Sequence, residues 1–364
     1  MTEPPEHPGA PSRRGVLRSA VVAGAALAVP LAGGLPQAEA RERTPAREEA
    51  RTRAEAQPRK PSQPSDRIGS LGDQSAVRTF TLGDVRLTYV VDAAMELDRT
   101  GFLPAVPSSY WAEHPEEVAP SGRIATSAGG VLVERGHRRL LIDVGLGANM
   151  LPPSLGVSRG GALLRTLRAL RVRPETIDTV AFTHLHTDHT GMGFVTAPGR
   201  APRKAFPRAG YLVAGAEWEP FWEHQVKVGA PSWDSFMVPM SKVLRRFDDG
   251  AQVWPGVTAL ITPGHSPGHT TFVVSTGGGR RILVFGDAFH TPAQVAHPEW
   301  PSGPDTNVDK VLKARRTLLA ELRKPHTYGF AFHFGDQAFG RVGEDGRWHP
   351  VPARALLPTP IQLP

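Results

Sequence analysis

Thr183-His184-Leu185-His186-Thr187-Asp188-His189-Thr190-Gly191 is the stretch on which the fold turns. Ile177 to Thr183, just before it, is a short apolar run that reads as a buried strand. Three histidines and an aspartate within six residues at the end of such a strand are costly to place unless something binds them. Side chains two apart on extended backbone share a face, so His184 and His186 are expected to point at one ion. A turn after them lets Asp188 and His189 reach a second ion nearby. Imidazole and carboxylate donors suit zinc, and also iron, manganese or cobalt. The bland alternative is a polar loop whose histidines only bond one another.

Outward from this stretch, the chain reads as strands with helices between them. Val77 to Leu82 and Val85 to Val90 alternate apolar and polar residues about Gly83-Asp84, a two-residue hairpin turn. Gly130 to Glu134 and Leu140 to Val144 form the next pair, turning near Gly136. Leu163, Leu164, Leu167 and Leu170 recur at helical spacing, which predicts a helix over 161–172. Further strands are expected at 210–214, 257–261, 270–275 and 281–285, and helices at 216–224 and 308–322. The strand from Tyr328 to Phe334 is expected to be the last. This order favours an α/β sandwich over a nucleotide-binding doubly wound sheet, and no Gly-x-Gly-x-x-Gly or Walker pattern opposes it.

The chain has 364 residues, of which 40% are hydrophobic and 21% charged, enough for a real core. Thirty-eight glycines and 36 prolines suit many turns and short connections. The absence of cysteine removes disulfides, thiol nucleophiles and thiolate-held metals together. The formal charge of +7 owes much to arginines that precede the globular region, and no basic run interleaved with aromatics follows, so nucleic acid is not an expected partner. Arg13-Arg14 leads into an apolar run from Ala20 to Leu35, ending near Ala38-Glu39-Ala40. Residues 1–40 therefore read as a twin-arginine-type signal peptide, and the run is short for a membrane span. Residues 41–74 carry almost no large apolar side chains and read as a disordered linker. The expected location is periplasmic or secreted, with no stable membrane span once the signal is removed.

The histidine run resembles the H-x-H-x-D-H hallmark of metallo-β-lactamase-fold hydrolases, and later segments resemble that family in order. Thr262-Pro263-Gly264-His265-Ser266-Pro267-Gly268-His269 is similar to its T-P-G-H-x-x-G-H segment, Phe285-Gly286-Asp287-Ala288 to its G-D segment, and Leu141 to Gly145 to its D-x-G element. The resemblance implies a four-layer αββα sandwich as a single domain over 75–364. It assigns His184, His186 and His269 to a first metal and Asp188, His189 and His333 to a second, with Asp287 bridging. His265 is read as a supporting residue, and Asp143 as a support for the metal loop.

Two such metals share a bridging hydroxide and polarise the substrate oxygen. The implied enzyme is a hydrolase of a small-molecule ester, lactone or phosphotriester, with two divalent ions, zinc foremost. Asp188, Asp287 and His290 are its candidate catalytic residues, His290 as a general acid, and a homodimer is a candidate assembly. The layout resembles both the quorum-quenching lactonases and the methyl-parathion-hydrolase-like enzymes. His290 stands where the first group often has tyrosine, and Phe334-Gly335-Asp336 where the second tends to have Pro-Phe-Pro. Trp218, Phe221, Trp222, Trp233 and Phe236 either wall the substrate pocket or form a satellite core. An iron-dependent oxidoreductase of the persulfide-dioxygenase kind and a non-catalytic metal-binding module remain as other readings.

Overall fold

The computed structural model describes residues 76–356. The signal and linker expected over 1–40 and 41–74 lie outside the described residues. The first part supplies β1 (Arg78–Leu82), β2 (Val85–Leu97), β3 (Ile124–Arg135), β4 (Arg138–Ile142), β5 (Gly156–Arg159), β6 (Thr179–Ala181), the small pair β7 (Phe194–Val195) and β8 (Arg203–Lys204), β9 (Gly210–Ala214) and β10 (Leu244–Phe247). The second part supplies β11 (Gln252–Trp254), β12 (Val257–Ile261), β13 (Thr270–Ser275), β14 (Arg281–Val284), β15 (Thr327–Phe330), β16 (Phe339–Val342), β17 (Trp348–Pro350) and β18 (Arg354–Ala355).

Two sheets result. One runs β10-β9-β6-β4-β3-β2-β1-β18, with β5 also paired to β2, and the other runs β11 to β17 in sequence order. The β1–β2 hairpin closes over Gly83, whose φ of +63° suits glycine in the expected tight turn. Tyr328 to Phe334 is not the last strand: β15 stops at Phe330, and three short strands follow it. Their side chains are too few and too mixed to show a period in sequence.

Alternation along the strands builds the layers. Val131, Val133, Leu140, Ile142, Ile282 and Val284 share one cluster with Phe272 and Phe330, so they fill the space between the sheets. Leu132 and Leu141, one residue out of phase, pack instead with Leu163, Leu167, Trp218 and Phe221 from the helices outside the first sheet. Leu283 and Phe285 likewise meet Leu318, Leu319 and Leu322 outside the second. The order helix, sheet, sheet, helix follows from this phase alone.

The outer helix Val308–Leu322 buries Val311, Ala314, Arg315, Leu318, Leu319 and Leu322, one face at helical spacing. Asn307 caps it by accepting from the Lys310 amide at 3.0 Å, a contact worth about 1 kcal/mol. On β2 the register slips between Val91 and Ala93, a bulge that re-aims Asp92. Its carboxylate then accepts from the Gly147 and Leu163 amides at 2.7 Å each, tying the turn after β4 to a helix start. Among the described residues, no helix is long and apolar enough to cross a membrane.

Candidate metal centre

The histidine-rich run leaves the end of β6, and the residues that meet it follow β14, β15 and the β12–β13 connection. Asp143, just past β4, anchors the run. Its carboxylate accepts from the Thr183 amide at 2.8 Å and the Thr183 hydroxyl at 2.7 Å, and it receives His189 Nδ1 at 2.8 Å. Asp143 is fully buried with φ of +58°, a conformation few non-glycine residues adopt.

Two groups of donors assemble here, His184, His186 and His265 in one and Asp188, His189, Asp287 and His333 in the other, and His290 forms a third, overlapping set with His265 and Asp287. The outer ring nitrogens are tied off. Nδ1 of His184 meets Thr183 Oγ1 at 3.0 Å, that of His265 meets Asp305 Oδ1 at 2.9 Å, and that of His333 donates to the Ser127 carbonyl at 2.8 Å. Each Nε2 then turns a lone pair inward. His189 and His333 Nε2 lie 3.1 Å from Asp287 Oδ1, and His265 Nε2 lies 3.0 Å from His186 Nδ1. Around Asp287 acceptors face acceptors, and only a cation between them, a proton or a metal, removes the conflict, whereas His186 Nδ1 can donate to His265 Nε2. His184 Nε2, His189 Nε2 and Asp287 Oδ1 are buried with no hydrogen-bond partner, so the residues fit metal.

The electrostatics follow the carboxylates. Burial opposes charge on the His189 ring, but Asp287, Asp188 and Asp143 together hold it well above the ordinary imidazole value. Burial, reinforced by neighbouring histidines, pushes His184 and His186 well below it.

The placement of His269 corrects the sequence reading. Its Nε2 accepts from the Asp287 amide at 3.0 Å and its Nδ1 lies 3.1 Å from the Thr262 carbonyl, so both ring nitrogens are occupied. It belongs to neither donor group, and His265 takes the place expected for it. The reason is the shape of the connection. The Thr262 amide donates to the His269 carbonyl at 2.7 Å, extending the β12–β13 ladder, so His269 stays at the sheet while His265 stands at the loop tip. Gly264, with φ of +136°, makes that tip, and a Cβ there would strike the backbone of Val311.

His290, the candidate acid, is buried at the same centre, with Nε2 3.2 Å from Asp287 Oδ2 and its ring edge-on to Phe102 at 4.9 Å. A cavity of about 370 Å³ opens beside it. Leu97, Phe102, Leu151, Leu155 and Val228 line the cavity together with Asp188, His265, Asp287, His290 and His333. None of the five aromatics expected as candidate wall residues lines it. Trp222 stacks between Trp218 at 5.3 Å and Trp233 at 4.7 Å, and the group packs under the first sheet as a satellite core.

Glu217 was not singled out in sequence. Fully buried, it accepts from the Leu185 amide at 2.9 Å, and from Ser266 Oγ and the Gly268 amide at 2.8 Å each. It thus clamps the two histidine-bearing loops together. Its only signal is a carboxylate beside the aromatic residues of the helix Gly215–Trp222, which also carries Glu219.

Residues 130–328, over half the chain, match the family model described as the metallo-beta-lactamase superfamily. The chain belongs to that superfamily. Among curated members, it is 28% identical over 156 residues to the N-acyl homoserine lactonase AttM of Agrobacterium fabrum, covering 41% of this chain and 56% of that relative. The match therefore spans little more than half of the curated relative's length. Among solved structures, AidC, described as a dizinc quorum-quenching lactonase, superposes with a TM-score of 0.65 at 21% identity, covering 77% of this chain and 99% of that one. The hydrolase AbOPH does so with a TM-score of 0.64 at 23% identity, covering 76% and 98%. Likeness at this identity shows the shared superfamily fold.

Proposed function

We propose that the protein is an exported, metal-dependent hydrolase that opens lactones or cleaves related esters bearing an apolar substituent. The observation that carries the reading is the pair of donor groups around Asp287, whose two oxygens face histidines of both. In this reading His184, His186 and His265 would hold one divalent ion and Asp188, His189 and His333 the other, with Asp287 facing both groups. The donor set suits zinc. When bound, such a pair supplies Lewis acidity and activates water near neutral pH.

The chain's own residues do the rest. Leu97, Phe102, Leu151 and Leu155 exclude water from the reacting bond and favour an apolar acyl or alkyl group over a charged one. His290 sits at the inner end of this wall. Burial pushes its pKa below the ordinary value, so at neutral pH it presents a neutral ring whose N–H hydrogen-bonds the leaving oxygen. Both of its ring nitrogens are buried without a hydrogen-bond partner, so one is free to meet a substrate oxygen.

A lactonase is favoured because the curated relatives are N-acyl homoserine lactonases. The test is hydrolysis of an N-acyl lactone, an aryl ester and a phosphotriester by wild type and His290→Gln. The reading expects the lactone to have the highest kcat/KM and the variant to lose kcat more than KM. Turnover of the phosphotriester alone would contradict the substrate assignment. Export rests on the Arg13-Arg14 leader, and fractionation of cells expressing the wild type and an Arg13→Lys, Arg14→Lys variant tests it. The reading expects the variant to stay inside.

A further inference from the structure

Among the clustered histidines, His265 alone is backed by a carboxylate that is itself paired with a buried arginine. Its Nδ1 lies 2.9 Å from Asp305 Oδ1, and Asp305 Oδ2 accepts from the Ser302 amide at 2.8 Å and faces Arg315 Nη2 at 3.4 Å. The side chains of Asp305 and Arg315 are both 0% exposed. A buried arginine is tolerated only when its charge is paired and its donors are occupied. Arg315 also donates through Nε to the Ala288 carbonyl at 2.6 Å and through Nη1 to the Trp300 carbonyl at 2.7 Å. Ala288 directly follows Asp287. One side chain on the outer helix therefore braces both the carboxylate behind His265 and the backbone that carries Asp287.

The backbone repeats the arrangement. The Thr306 amide donates to the His265 carbonyl at 3.0 Å, and the Asn307 amide to the Gly264 carbonyl at 2.8 Å. The segment entering the helix is thereby fastened to the loop tip on which His265 stands. His269, four residues on, has no carboxylate within its bonding shell and uses its ring to hold the Asp287 amide instead.

We infer that Asp305 and Arg315 are a positioning pair that holds the His265 ring toward the other metal donors with its proton on Nδ1. A carboxylate accepting the Nδ1 proton strengthens the Nε2 lone pair, and Arg315, 3.4 Å from the other oxygen, holds that carboxylate in line. The inference rests on the metal-binding part of the function proposed above and not on which bond is cleaved.

Zinc release from the zinc-loaded full chain to a competing chromophoric chelator tests it, comparing wild type with Asp305→Asn. The expected result is that one of two zinc ions is released about 10- to 100-fold more readily while the other is held as before. Unchanged release of both, or equal weakening of both, overturns the pair as a positioning device. Long-range proton–nitrogen spectra of zinc-loaded wild type give an answer that does not depend on the variant folding. They should show His265 protonated at Nδ1 with Nε2 shifted by metal; that shift on His269 instead overturns the inference. The expected His265 pattern with no hydrolysis of any substrate supports the pair while contradicting the hydrolase reading.

Discussion

Nε2 of His189 lies 3.1 Å from Oδ1 of Asp287 in a contact buried from solvent on both sides. His189 is committed through Nδ1 to Asp143, so its inner nitrogen has only a lone pair to offer Asp287 unless the ring takes a second proton. The same conflict recurs between His333 and Asp287. A polar core that leaves acceptors facing acceptors is destabilised unless a cation resides there, and this is the physical basis for reading the cluster as a metal centre.

The division of labour between the two histidines of the β12–β13 loop gives the first prediction. His265→Ala should lose one bound metal and at least about a hundredfold in kcat/KM, as expected when a donor is removed. His269→Ala should keep both metals, because its ring is committed to the Asp287 amide and the Thr262 carbonyl. It should still cost about 1–3 kcal/mol in urea unfolding, since that buried amide loses its acceptor. Metal analysis and unfolding of the two variants check this; loss of metal from His269→Ala with retention in His265→Ala would contradict the placement.

Glu217 sets a pH dependence. Burial pushes its pKa up to about 7 from 4.5, against the three bonds it accepts. The folded state therefore holds the proton more tightly than the unfolded chain. The stability this provides is complete below the unfolded value and is lost as pH rises through the folded one. Relative to Glu217→Gln, the wild type should lose stability between about pH 5 and pH 8, by at most about 3 kcal/mol. Urea unfolding of both proteins across that range measures the difference, and a difference independent of pH would show that Glu217 stays ionised throughout.

Val228 tests the apolar pocket without disturbing the core. It lines the cavity yet is 56% exposed. Val228→Asp should leave stability within about 0.5 kcal/mol. It should raise KM for a long-chain acyl lactone about tenfold, with little change for a short-chain one. Equal effects on both chain lengths would place the substrate's apolar group elsewhere.

What the sequence made legible is what is local. The hairpin about Gly83, the phase of β3 and β4, the helix Val308–Leu322 and the run from His184 to His189 each declare themselves within a dozen residues. The two histidines of the 262–269 loop did not, because choosing between them depends on a ladder contact and on a helix some forty residues later. Glu217, Asp305 and Arg315 were illegible for the same reason: their partners lie in other segments, and a lone carboxylate or arginine has no period. The tryptophan-rich segment left two readings open in sequence, a pocket wall or a satellite core, and it is the core. The pocket wall is built by Leu97, Phe102, Leu151 and Leu155, whose apolar character in sequence is indistinguishable from ordinary core.

The central claim is most directly tested by metal content per chain of the purified protein and of Asp287→Ala, measured alongside lactone hydrolysis. The account predicts two divalent ions per wild-type chain, with hydrolysis lost and fewer than two ions retained in the variant. A single iron per chain, with oxygen uptake and no hydrolysis, would contradict it.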